Sequence, residues 1–255
     1  LPNRSNSTTI TRISSIMLKK ILLFFLLFSF ADARADDGYR LWLKYDLLKN
    51  ISKSAEYKRF AGFIQIRTEQ TPIVRTAQEE LKRGLEGMLG IQVSNTSKKS
   101  GGIIFQLDKT SPEEGFRIEN KQGNIMISGG GDKGVLYGVF ELLRLMQTEK
   151  SLTDLPISSA PKIRLRMLNH WDNPLGTIER GYAGASLWKW YELPETLDPR
   201  YRDYARANAS IGINAVALNN VNASARFLTQ EYLVKVKALA DVFRPYGIQV
   251  FLSIN

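Results

Sequence analysis

The sequence predicts an α/β protein in two parts, a small mixed α/β domain followed by parallel βα units. Three observations lead there. Segments with apolar residues every three or four positions alternate with short β-rich runs, the first half carries a hairpin signal, and the second half has near-continuous apolar strands between amphipathic helices. In chain order, residues 61–67 (AGFIQIR) read as a strand. Thr71-Pro72 then opens a helix with Ile73, Ala77, Leu81, Leu85 and Met88 on one face, and Gly90 ends it. Residues 101–108, 116–120 and 124–128 read as strands, the last two joined through Lys121-Gln122-Gly123, where glycine suits a positive φ. A second helix runs from Asp132 to about Met146. This β-α-β-β-β-α unit makes residues 36–150 a domain of ordinary size.

Residues 151–162, with Pro156 and Pro161 and little periodicity, read as a linker. From residue 163 the pattern changes to strand 163–168, helix 198–212, strand 213–218, helix 229–247 and strand 248–254. Thr229 is the expected N-cap of the last helix and Gly247 its stop. Parallel βα units of this kind build barrels, and an eight-stranded barrel needs about 250 residues. Residues 163–255 are therefore expected to be the first three βα units of a truncated TIM barrel, within a longer protein.

Composition removes much enzymology. The chain has 255 residues, no Cys and one His, His170, so thiolate zinc sites, iron–sulfur clusters, cysteine nucleophiles and two-histidine metal sites are excluded. The net charge of +10 would suit nucleic acid, but residues 1–35 hold five bases and one acid, and the 30 bases and 24 acids that remain are dispersed. No nucleic-acid partner is expected. From Met17 the chain reads MLKKILLFFLLFSFADARA, a basic start, an apolar run and an A-x-A site, so 17–35 is expected to be a signal peptide and the mature protein secreted or periplasmic. The apolar run falls short of the roughly 20 residues a membrane span needs, so no membrane association is expected after cleavage. Residues 1–16 are polar and patternless, and read as an upstream non-native extension.

Residues 129–134 (GGGDKG) match the G-x-G-x-x-G pattern, with Asp154 twenty residues on. The preceding strand is the second arm of a hairpin rather than part of a βαβ unit, so a glycine-rich turn packed close to the sheet is the better reading, and no cofactor is expected. The richest stretch is 169–190 (NHWDNPLGTIERGYAGASLWKW), which begins where the first βα strand ends. Indoles, carboxylates and amides at such a rim suit a sugar: flat rings cover its apolar face while polar groups take its hydroxyls. A Glu179–Arg180 ion pair with Trp188 and Trp190 in the core is the equal alternative for those four residues. The second strand ends in Asn219, Asn220, Val221 and Asn222 at the same rim.

The run HWDNPLGTIERGYAGASLWKW, with GINAVALNNVNA, YGIQVFLSIN and DGYRLWLKY at 37–45, resembles the glycoside hydrolase family 67 alpha-glucuronidases. NIMISGGGDKGVLYGVFELLRLM also resembles the small α/β domain before the barrel in that family and in hexosaminidase-like enzymes. The resemblance implies an inverting, metal-free enzyme that removes (4-O-methyl-)glucuronic acid α-1,2-linked to xylo-oligosaccharides during xylan degradation. It implies that Trp171 and Val221 surround the methylated sugar, with Asn222 and Glu179 as candidates for hydroxyl contacts or loop support. It also places the general acid and base on later barrel strands, C-terminal to Asn255, so no catalytic residue is expected in this chain and the chain alone is expected to be inactive. A homodimer is an assembly open to the full-length protein. Pro174-Leu175-Gly176 departs from the family's Leu-Asp-Gly. A non-catalytic glycan-binding protein, or another exoglycosidase such as a hexosaminidase, is the competing reading.

Overall fold

A computed structural model describes residues 36–94, 99–153, 155–222 and 224–253, together with Lys19. The expected signal peptide, apart from Lys19, lies outside the described residues, as does Asp154. So do Ile254 and Asn255, the end of the expected third barrel strand and the residue beyond which the acid and base were expected. In the first of two compact units, residues 36–41 form a turn closed by the Leu41 amide on the Gly38 carbonyl at 3.0 Å. Residues 42–255 form a second compact unit that holds both sheets. Among the described residues no helix is long and apolar enough to cross a membrane.

The first sheet contains β1 (Phe63–Ile66), β2 (Gly102–Leu107), β3 (Phe116–Lys121), β4 (Asn124–Gly129) and β5 (Ile157–Ser159), in the order β1-β2-β4-β3-β5. β1, β2 and β4 run parallel, whereas β3 is antiparallel to both β4 and β5. The β3–β4 turn has Gln122 and Gly123 both at positive φ, 53° and 74°, which matches the twist of the flanking strands. β4 is buried along its whole length because its neighbours cover both edges and the helix Asp132–Gln147 packs against it.

Two helices of this part are as expected. α2 (Pro72–Leu89), which follows the shorter α1 (Ile51–Lys58), is N-capped by Thr71 and stopped by Gly90 in the left-handed region. α3 (Asp132–Gln147) buries Val135, Leu136, Val139, Phe140, Leu143 and Met146. The GGGDKG segment is a close-packed turn: a Cβ on Gly130 would lie 1.9 Å from the Pro112 carbonyl oxygen, and one on Gly134 2.2 Å from that of Gly115. Only glycine fits there without moving backbone.

The second sheet is all parallel, in the order β6 (Met167–Asn169), β7 (Ala215–Ala217), β8 (Gln249–Phe251), with α4 (Pro199–Ser210) and α5 (Gln230–Phe243) as the connections. Pro at the first position and the Asp198 carboxylate on the Arg200 amide start α4.

Several boundaries differ from expectation. α1 and β5 fall where no element, and a linker, were expected. α1 buries only Tyr57, so its pattern is faint, and β5 is three residues long beside a proline. β6 starts later than the expected 163–168, because the Asn214 side chain, in place of a neighbouring strand, takes the Arg166 amide and the Arg164 carbonyl. β8 covers Gln249–Phe251 within the expected 248–254. Thr229 occupies the N-cap position of α5, but its hydroxyl donates to the Arg226 carbonyl of the preceding 3-10 turn instead of capping. Gly247 does stop that region, after a second 3-10 turn at Arg244–Tyr246.

Candidate functional site

The carboxyl ends of β6, β7 and β8 lie side by side, since the strands are parallel and in register from Met167, Ala215 and Gln249. Ligand sites in parallel α/β sheets form at this end. β6 continues into His170, Trp171 and Asp172, and the His170 amide still pairs with the Ala217 carbonyl at 2.9 Å. β7 continues into Asn219, Asn220 and Val221. The Asn220 amide donates to the Asp172 carbonyl at 3.0 Å, so the residues that follow one strand are tied to those that follow the next. Trp171 and Val221 flank that bond in sequence and are 39% and 40% exposed, large for apolar side chains beside a packed core. Asn222 is also exposed.

Not every candidate faces outward. Trp188 and Trp190 are core residues: Trp188 packs against His170, Tyr201, Tyr204 and Phe243, and Trp190 against Phe227 and Tyr232, with ring centroids 5.0–6.0 Å apart. Asn219 is fully buried. Its carboxamide donates to the Ser253 carbonyl at 2.9 Å and accepts from the Ser253 amide at 2.8 Å. The Asn220 carboxamide accepts from the Asn222 amide at 2.9 Å and so shapes the turn. Of the three asparagines, two therefore hold the rim together and only Asn222 is presented.

Glu179 takes a left-handed backbone, φ 57°, uncommon for a residue with a side chain. Two bonds hold it: its amide on the Trp171 carbonyl at 2.8 Å, and its own carbonyl accepting from Asn173 Nδ2 at 2.6 Å. The partnership with Arg180 is loose, 4.0 Å with the guanidinium almost fully exposed, and Glu179 Oε2 is buried with no hydrogen-bond partner. In the departing segment, Gly176 sits at φ 80° and closes a turn onto the Asn173 carbonyl at 3.0 Å, while Tyr232 donates to the Pro174 carbonyl.

Behind the rim a chain of polar groups meets at the buried Asp172; three of them lie in the 169–190 stretch, and Tyr204 joins from outside it. The Tyr204 hydroxyl lies 2.7 Å from His170 Nε2, His170 Nδ1 lies 3.4 Å from Asp172 Oδ1, and Ser186 Oγ donates to Asp172 Oδ2 at 2.6 Å. Burial pushes the Tyr204 phenol well above its usual range, so it keeps its proton. The residues are scattered over 170–204, with no fixed spacing to find.

Two clefts lie away from the rim. They have volumes of about 520 and 650 Å³, share Glu114, Pro161 and Arg166, and open at the amino ends of β6–β8. Between them Glu114 receives Lys133 at 2.9 Å, Asn214 at 3.0 Å and Arg166. Burial alone would raise the Glu114 pKa, but these donors outweigh it and hold the carboxyl below its ordinary value. Among the described residues no three His, Asp or Glu side chains gather as a metal site requires.

Comparison with known proteins fits this geometry. The profile of the glycosyl hydrolase family 67 N-terminus matches residues 41–142, and that of the family 67 middle domain matches residues 145–255. The chain belongs to glycosyl hydrolase family 67. Within the family, it is 32% identical over 238 residues to the probable alpha-glucuronidase A of Aspergillus oryzae, covering 87% of this chain and 28% of that protein. It is 32% identical to alpha-glucuronidase A of Emericella nidulans (88% and 29% covered) and 30% identical to the alpha-glucuronidase of Hypocrea jecorina (94% and 31%). This family 67 chain thus spans under a third of the length of these relatives. Among solved structures it resembles a GH138 enzyme targeting pectin rhamnogalacturonan II, with TM-score 0.54 and 20% identity over 74% of this chain and 24% of that one. It also resembles a GH115 4-O-methyl-alpha-glucuronidase with specificity for decorated arabinogalactans, at 0.51 and 16% over 74% and 28%. At these identities the likeness is one of fold.

Proposed function

We propose that the protein to which this chain belongs is an inverting alpha-glucuronidase that releases (4-O-methyl-)glucuronic acid α-1,2-linked to xylo-oligosaccharides, acting outside the cytoplasm. The parallel β6–β8 sheet is the start of a (β/α)8 barrel preceded by a small α/β domain, and the sugar sits at the carboxyl ends of its strands. The observation that carries this reading is that Trp171 and Val221, the sequence neighbours of the hydrogen-bonded Asp172 and Asn220, are both exposed, in a chain of this family. An exposed indole and a branched aliphatic are the apolar surfaces that a sugar face and a methyl ether would cover. Glu179 and exposed Asn222 are assigned to the sugar hydroxyls or to support of the loop.

Inversion needs a general acid and a carboxylate base about 6.5–9.5 Å apart. Asp172 is 1% exposed and engaged on both oxygens, which suits neither role. The acid and base are assigned C-terminal to Asn255, in the part of the relatives that this chain does not span.

The test compares this chain with the protein from its complete reading frame on a panel of aldouronic acids. Release of 4-O-methyl-glucuronic acid with inverted configuration by the complete protein, and none by the 255-residue chain, is expected. Hydrolysis by the chain alone would overturn the assignment of acid and base. Tight binding of aldouronic acids by the chain, with no hydrolysis by the complete protein, would favour a glycan-binding module.

A further inference from the structure

We propose that Asp172, together with Ser186, is a positioning residue that fixes Trp171 at the rim and thereby sets how firmly the uronosyl ring is held; the substrate half of this inference rests on the function proposed above. The segment leaving β6 is extended, and extended backbone sends successive side chains to opposite sides. His170 and Asp172 are the inward pair. His170 is held by Tyr204 and by the Trp188 ring, 5.0 Å between centroids. Asp172 is held by Ser186 Oγ at 2.6 Å. With both neighbours anchored inward, Trp171 is turned outward.

The anchor is reinforced from several directions. The Asp172 carbonyl takes the Asn220 amide, and Asp172 forms an antiparallel bridge with Ile178. Ser186 Oγ also accepts the Trp188 amide at 3.0 Å, while the Ser186 amide donates to the Gly176 carbonyl at 2.9 Å. Ser186 therefore ties the far end of the 173–187 loop to the buried carboxylate, and the loop returns the support by placing the Glu179 amide on the Trp171 carbonyl. Removing the Ser186 hydroxyl strips a donor from the buried carboxylate and an acceptor from the Trp188 amide at once. Groups so stranded rearrange, and the freedom gained passes to Trp171.

The first arm of the test needs no activity. In the 255-residue chain, acrylamide quenching of Trp171 is isolated as the difference between Ser186→Ala and Ser186→Ala/Trp171→Phe, with the matching pair in the parent. The Trp171 quenching constant is expected to rise and its fluorescence anisotropy to fall in Ser186→Ala, and Ser186→Thr, which keeps the hydroxyl, is expected to restore both. Unchanged values would overturn the proposal. Should Ser186→Ala not fold, Asp172→Asn, which keeps an acceptor of the same shape, replaces it. The second arm uses the complete protein. Ser186→Ala is expected to raise KM for the methylated substrate about tenfold with kcat and its pH profile unchanged, and to have no effect on a Trp171→Ala background. A KM effect undiminished on that background, or a lower kcat with a shifted pH profile, would overturn it. A complete protein inactive on every uronosyl substrate would defeat the proposed function, while the quenching arm would still decide the positioning role.

Discussion

Replacing Arg206 by alanine tests how the two halves of residues 42–255 are held together. Arg206, on α4, reaches Glu80, on α2, with Nε at 3.0 and 2.8 Å from the two carboxylate oxygens and Nη2 at 2.7 Å from Oε1; Nη2 also donates to the Leu43 carbonyl at 3.1 Å. Tyr45 donates to the same carboxylate at 2.6 Å, and burial together with the Glu80 charge raises its pKa far beyond the ordinary range. The Glu80 side chain is 3% exposed and that of Arg206 12%, so solvent can compensate neither. Deleting one member of a buried pair leaves the other uncompensated, at a cost of about 3–5 kcal/mol. For a unit of this size, each kcal/mol moves Tm by about 2–4 °C, so Arg206→Ala is expected to lower Tm by roughly 6–20 °C. Urea denaturation followed by circular dichroism gives the free energy directly. The double replacement Glu80→Leu/Arg206→Met should recover only part of the loss, because an apolar pair leaves no stranded charge but takes the partners of the Tyr45 hydroxyl and the Leu43 carbonyl. A loss below about 1 kcal/mol for Arg206→Ala would refute the reasoning, since the pair would then behave as an exposed one.

Glu114 gives a pH signature. Its native pKa is depressed below the ordinary 4.5, so its contribution to stability is complete above that value and is lost as pH falls through the lower native one. Glu114→Gln should be less stable than the parent at pH 7 and lose less on acidification, and denaturant midpoints from pH 7 to pH 3 that run parallel in the two proteins would contradict this. Gly130→Ala forces a Cβ onto the Pro112 carbonyl and should cost about 1–3 kcal/mol or more, read as a lowered urea midpoint, whereas added NAD should leave the parent's Tm unchanged. Asn219→Ala removes two buried hydrogen bonds to Ser253 and should cost about 1–3 kcal/mol. An Asn219→Ala chain as stable as the parent would mean that this clip contributes nothing.

The sequence revealed what local physics determines. α2, α3 and α4 were legible because Thr71-Pro72, Asp198-Pro199 and Gly90 mark ends that backbone hydrogen bonding requires, and because apolar periodicity marks the buried face. α1 was not, since only Tyr57 along its length is buried, and β5 was not, since its three residues are a strand only because β3 lies alongside. At the rim, sequence composition pointed to the segments but could not sort them. Trp171 and Trp188 are the same residue type seventeen positions apart, yet one is exposed and the other lies under the aromatic cluster of α4 and α5. Likewise Asn219 and Asn222 differ only in whether a neighbouring strand offers them a peptide group. The Glu114 and Glu80 clusters join residues 52 and 126 positions apart, and nothing local marks such a pairing.

A carboxamide has the same donor and acceptor as a peptide unit, and Asn219 uses both against one residue of the third strand's extension. The ladder thus gains a rung made of side chain, and the main chain at that point no longer has to run straight. Residues 220–222 can bend away without opening a gap in the sheet beneath them. Glutamine, one methylene longer, or aspartate, with no donor, could not substitute, so a single atom's difference in one side chain decides whether the sheet stays closed where its main chain turns aside.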